Sequence, residues 1–187
     1  MTPQEMLEKM KVTIGGRTGK TFPQWVDVAR GSGLEKHKAI TVWLKTEHGL
    51  NHNEAQWVAW EVTDPGRSEQ YNRPKDLVAE LYAGKKAHLR PIYDALLAAG
   101  MGVGTDIKPN VCKTYTSLAA GRQFAILNPR TQKGVDLELR LPDGAKWGDA
   151  FKSSNPNFKR RMRLTDVSQV DGAVTGALAA AAAHVRK

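Results

Sequence analysis

An α+β protein in two parts is the expectation from this chain: a small N-terminal four-helix domain, then a C-terminal antiparallel sheet flanked by helices. Three observations carry it. Apolar residues recur every three to four positions up to about residue 62. A polar break, Asp64-Pro65-Gly66, interrupts that pattern. Beyond the cluster Gly100-Met101-Gly102-Val103-Gly104 the apolar period shortens to two, which suits strands and not helices.

Met6, Met10 and Ile14 predict a first helix over 3–13, with Gly15-Gly16 as its stop. Thr21 reads as the cap of a second, with Pro23 in its first turn and Phe22, Trp25, Val26 and Ala29 on one side. Ile40, Val42, Trp43 and Leu44 belong to a third helix over 34–46. A fourth, capped by Asn51 or Asn53, holds Ala55, Trp57, Val58, Trp60 and Val62. Four short helices with tight connections suit a bundle, with Trp25, Trp43 and Trp57 in its core. The domain limits read as 1–65 for the helical domain, 66–73 for a linker and 74–187 for the α+β domain.

Helices are expected over 74–82 and 86–99. Strands are expected at 107–108, 112–118, 122–127, 134–141 and 160–164, with Asn128-Pro129-Arg130 as a turn. The alanine-rich stretch 170–185 is a closing helix. In the strand 134–141, Val135, Leu137, Leu139 and Leu141 face one way, and Asp136, Glu138 and Arg140 the other.

The net charge is +9, and it is unevenly spread. Residues 1–73 hold 10 Lys/Arg against 9 Asp/Glu, whereas residues 74–187 hold 18 against 10. Such a basic domain draws polyanions, so nucleic acid or another polyanion is an expected partner. Cys112 is the single cysteine, which excludes an intrachain disulfide and a cysteine-based zinc site. With no apolar run near membrane-spanning length and no secretory pattern in Met1-Thr2-Pro3-Gln4-Glu5, a cytoplasmic location away from membranes is expected.

Several stretches resemble known families. Gly19-Lys20-Thr21, Trp25-Val26, Ser32-Gly33-Leu34-Glu35-Lys36-His37, Trp43-Leu44-Lys45 and Glu47-His48-Gly49-Leu50 resemble a small bacterial helical family, domain of unknown function 4287. Leu81-Tyr82-Ala83-Gly84-Lys85-Lys86, Arg90-Pro91-Ile92-Tyr93, Lys113-Thr114-Tyr115-Thr116-Ser117, Gln123-Phe124-Ala125 and Val135-Asp136-Leu137 look like domain of unknown function 5655. The resemblance implies two domains in this order and brings no catalytic residues with it.

Familiar chemical motifs fail on spacing. In Gly15-Gly16-Arg17-Thr18-Gly19-Lys20-Thr21 a phosphate loop would need glycine at 14, where Ile14 stands. A dinucleotide fingerprint on Gly100 and Gly102 would need glycine at 105, which is Thr105. His48 and His52 are separated by a turn and make a poor metal pair. Neither Cys112 nor Ser117 has a histidine nearby in sequence to activate it. No cofactor and no metal are called for, and a binding protein is favoured over an enzyme.

The positive candidates lie on surfaces. Lys113, Tyr115 and Ser117 alternate on the expected strand 112–118, and with Arg122 they compose a face for phosphate and base. Arg161 and Arg163, in Lys159-Arg160-Arg161-Met162-Arg163, project together from the strand 160–164. A solvated strand face is the plain alternative for both. In the helical domain Lys45, His48, His52 and Asn53 surround a helix–turn–helix-like connection that suits nucleic acid or a protein partner, although Glu54 and Glu61 would repel phosphates. Asp136 and Glu138 share a face and are the candidates for a small metal-dependent, nuclease-like enzyme. Arg140 beside them offers no general base.

Overall fold

Thr21 and Asn51 show how local chemistry punctuates the first half. Each accepts a hydrogen bond from the backbone N–H three residues on, at 3.5 Å from Gln24 and 3.0 Å from Glu54. Gln24 and Glu54 in turn accept from the caps' own N–H groups at 2.8 and 2.9 Å. These reciprocal boxes satisfy donors that a helix start leaves open. The computed structural model describes residues 3–70, 73–153 and 155–186. The chain divides into two units, Met1–Arg73 and Pro74–Lys187.

The first unit holds α1 (Pro3–Thr18), α2 (Phe22–Gly31), α3 (His37–Thr46), α4 (His52–Thr63) and the short α5 (Arg67–Gln70). The four-helix expectation holds, with local corrections. Gly15 and Gly16 do not stop α1, because neither takes a positive φ; the chain turns at Gly19, φ +72°. The third helix starts at His37, and the linker stretch contains α5. Leu7, Ile14, Trp25, Val26, Ile40, Leu44 and Val58 form the core. Trp25 is buried and its indole N–H donates to Thr18 Oγ1 at 2.8 Å. Trp43 and Trp57, expected beside it, are only half-buried at the margin.

The second unit opens with α6 (Pro74–Leu81), a 3-10 turn (Gly84–Leu89) and α7 (Arg90–Met101). Six strands follow: β1 (Lys108–Val111), β2 (Thr116–Ala120), β3 (Arg122–Thr131), β4 (Gly134–Leu139), β5 (Asp149–Ala150) and β6 (Arg160–Leu164). A second 3-10 turn (Val167–Gln169) leads into α8 (Gly172–Arg186). The sheet is antiparallel throughout, in the order β1-β2-β3-β4-β6-β5. This is the α+β architecture that the change of period predicts. Residues of α6, α7 and α8, among them Leu81, Ile92, Leu96, Leu178 and Val185, share one core with Leu118, Phe124, Leu127, Leu137 and Leu164 of the sheet. The helices therefore cover one sheet face, and alternate residues point to the other.

Two strand expectations need correction. Cys112–Tyr115 is the connection between β1 and β2, closed by the Cys112 N–H donating to the Tyr115 carbonyl at 2.8 Å. Asn128-Pro129-Arg130 lies inside β3, and the chain reverses instead between Thr131 and Gly134. Pro129 has no N–H for the ladder, and the pairing register shifts between Asn128 and Thr131. Among the described residues no helix is long and apolar enough to cross a membrane.

Candidate functional site

On the sheet face away from the helices, period-two alternation places Asp136 and Glu138 of β4 opposite Arg163 and Arg161 of β6. The carboxylates are not solvated, as a strand face would suggest: Asp136 is 0% and Glu138 3% exposed. Arg163 grips Asp136 with two hydrogen bonds, Nε at 2.6 Å and Nη2 at 3.0 Å. Arg161 stands 3.6 Å from the same carboxylate, and its guanidinium lies over the Phe151 ring at 5.0 Å. Arg130, on the irregular end of β3, reaches Glu138 at 3.4 Å. Fork-shaped guanidinium donors match carboxylates in this way, and they hold the charge of Asp136 out of water. Burial is the main influence on Glu138 and pushes its carboxyl above the ordinary range, with the Arg130 charge opposing it.

This arrangement bears on two expectations. Arg161 and Arg163 do not project as unengaged cations, because both are committed to Asp136. Asp136 and Glu138 meet guanidinium groups where a metal ion would need vacant oxygen lone pairs, and no cluster of three or more metal-ligating side chains occurs among the described residues.

The residues expected to line one strand face also separate. Ser117 is fully buried on β2, where it pairs with Asn110 of β1 and accepts from Gln123 Nε2 at 3.1 Å. Arg122 caps the end of α8, donating through Nε and Nη2 to the Val185 carbonyl at 3.0 and 2.7 Å. A helix C-terminus leaves its last carbonyls open, so this cation has structural work there. Lys113 and Tyr115 sit half-buried on the β1–β2 connection, because strand pairing stops before them.

Lys113 instead meets a different basic segment. The end of α6 and the following 3-10 turn bring Lys85 and Lys86 to the β1–β2 connection, and the three lysines line a depression of about 490 Å³. Glu80, Leu81 and Ala83 complete the lining, so Glu80 is the one carboxylate among the described residues there. Gly84 makes the geometry possible: its φ of +57° turns the chain sharply after α6, a conformation costly for any residue with a Cβ. Tyr82 anchors the neighbouring backbone by packing its buried ring on Tyr93, centroids 4.8 Å apart. Burial raises both phenols above their ordinary range, and Thr116 donates to the Tyr93 hydroxyl at 3.3 Å. Neither Lys85 nor Lys86 is ion-paired with a described residue. The sequence held a signal for this site in the lysine pair directly after a glycine helix stop. Expecting a single helix over 86–99 conceals it, because residues 84–89 form a separate 3-10 turn.

In the helical unit Lys45 is exposed near the end of α3, and His52 and Asn53 are exposed at the start of α4. His48 stands edge-on to Trp43 at 4.4 Å and to Trp25 at 5.3 Å. Glu54 does not face outward from a recognition helix: it is buried and held by the Arg17 guanidinium.

The family models agree with this division. A domain of unknown function, DUF4287, matches residues 2–64, and a second, DUF5655, matches residues 78–182. The chain belongs to the DUF5655 family and carries DUF4287 ahead of that domain. No curated protein and no solved structure matches it.

Proposed function

We propose that this DUF5655 protein is a binding protein whose C-terminal domain takes phosphate-bearing polyanions, nucleic acid foremost, in the depression lined by Lys85, Lys86 and Lys113. The convergence of those three lysines, from segments far apart in the chain, on a concavity with Glu80 as its lone described carboxylate carries the proposal. Lysine ammonium groups act as mobile point charges that neutralise phosphates without reading bases, so the expected binding is salt-sensitive and largely indifferent to sequence. The excess of 18 Lys/Arg over 10 Asp/Glu across residues 74–187 would add long-range attraction. A cytoplasmic setting is part of this reading, supported by Cys112 being the single cysteine.

The test is anisotropy of a labelled single-stranded oligonucleotide titrated with the full chain at several salt concentrations. Three phosphate contacts predict a log–log salt slope of about −2. Replacing Lys85, Lys86 and Lys113 by alanine should flatten that slope and weaken binding at least tenfold. Competition by inorganic polyphosphate separates a general phosphate site from a nucleic-acid site. Absence of binding at low salt, or binding untouched by the triple replacement, would overturn the proposal.

A further inference from the structure

In the helical domain, we infer that the outer side of α3 docks an acidic, amphipathic helical segment of a partner protein. The inference does not depend on the polyanion site, which lies in the other domain.

Helix α3 buries Ile40, Thr41 and Leu44 and leaves an apolar groove of about 620 Å³ on its outer side. Leu34, Ala39, Val42 and Trp43 line the groove, and Lys36 and Lys38 belong to the same lining. Val42 is 51% exposed, one of the few large apolar side chains of the chain left in water. Trp43 is already held, since His48 meets its ring edge-on at 4.4 Å and an interplanar angle of 80°. A fixed indole beside a concavity costs little order on binding, which is how aromatic anchors contribute most of an interface's energy.

Charge selects the occupant. α3 carries Lys38 and Lys45 and no acidic residue, and Lys36, Lys38 and Lys45 form no ion pair with a described residue. Lys38, Val42 and Lys45 are spaced by four and three, so they follow one stripe of the helix. A ridge of apolar side chains at i, i+4 and i+7, flanked by Asp or Glu, complements both the groove and its lysines. Other occupants fit less well. Phosphates gain nothing from Val42 and Trp43, and a concave apolar surface does not insert into a bilayer as a protruding one does. A second copy seated face to face would bring lysines against lysines.

The full chain is titrated into a labelled fourteen-residue synthetic helix with leucines at that spacing and glutamates beside them, and into a twin with lysines in place of the glutamates. The glutamate peptide should bind at least tenfold more tightly. Val42→Asp, at an exposed site, should weaken it at least tenfold with the melting temperature unchanged. The double variant Lys36→Glu, Lys38→Glu should reverse the preference between the twins. Equal affinity for the twins, or binding that ignores both variants, would overturn the inference. So would Val42-dependent binding to phosphatidylserine vesicles in place of the peptide, or self-association that Val42→Asp abolishes.

Discussion

Two basic regions of the C-terminal domain differ in what their cations are doing. On the sheet face away from the helices, Arg130 and Arg163 donate to Glu138 and Asp136, and Arg161 forms a looser ion pair with Asp136 at 3.6 Å; alternation along β4 directs both carboxylates beneath them. At the lysine depression, Lys85, Lys86 and Lys113 come from two turns, with only Glu80 as a described carboxylate in the lining. The arginine cluster is the denser in sequence, yet it acts inward, joining β3, β4 and β6. A count of cations thus says little about availability. What decides it is whether the backbone sets carboxylates at the right register beside them.

The comparison is broken most forcefully at Asp136. Asp136→Ala leaves Arg161 and Arg163 side by side over a buried gap, and should cost about 2–4 kcal/mol of stability, read by urea unfolding. A loss below about 0.5 kcal/mol would mean that the arginines are not held as described. Gly84→Ala forces a side chain onto a φ of +57° and should cost about 1–2 kcal/mol. It also tests whether that turn positions Lys85 and Lys86, because polyanion binding should weaken along with stability.

Glu138→Gln sharpens the same contrast through pH. Burial makes the folded state hold the Glu138 proton more tightly than the unfolded chain, whose carboxyl titrates near 4.5. The folded state therefore binds the extra proton just above that value, and stability falls as pH rises through the interval. The glutamine variant lacks this loss. It should be as stable as the parent at pH 7, or more stable by up to about 1 kcal/mol, and the difference should fade as the pH drops towards 4. The smallest expected stability effect is at the depression itself. Lys85→Ala with Lys86→Ala should change unfolding free energy by less than about 0.5 kcal/mol, since Lys85 is exposed, Lys86 is only half-buried, and neither forms an ion pair with a described residue.

Most of the architecture was legible because periodicity reports it directly. The spacing of Phe22, Trp25, Val26 and Ala29 marks α2, and the alternation from Val135 to Leu139 marks both β4 and its two faces. Glycines misled where φ decides. Gly15 and Gly16 stay helical, whereas Gly19 does not, and composition alone cannot rank them. Pro129 read as a turn because a strand proline is rare, yet β3 accommodates it with a shift of register. The candidate site was less legible. Lys113 was visible as one cation on a chemical face, but its companions Lys85 and Lys86 reach it through tertiary packing of α6 against the β1–β2 connection. The engagement of Arg161 and Arg163 depends on strand order, since β4 pairs with β6 across a long connection that local pattern does not specify.

The most direct test sets the two basic regions against each other in one assay. Oligonucleotide affinity at low salt is measured for the parent chain, for the Lys85, Lys86 and Lys113 alanine triple variant, and for Arg161→Ala with Arg163→Ala. The lysine variant should lose at least tenfold in affinity. The arginine variant, once shown by circular dichroism to be folded at the assay temperature, should bind within about twofold of the parent. The reverse order, with the arginine variant losing affinity and the lysine variant keeping it, would contradict the account.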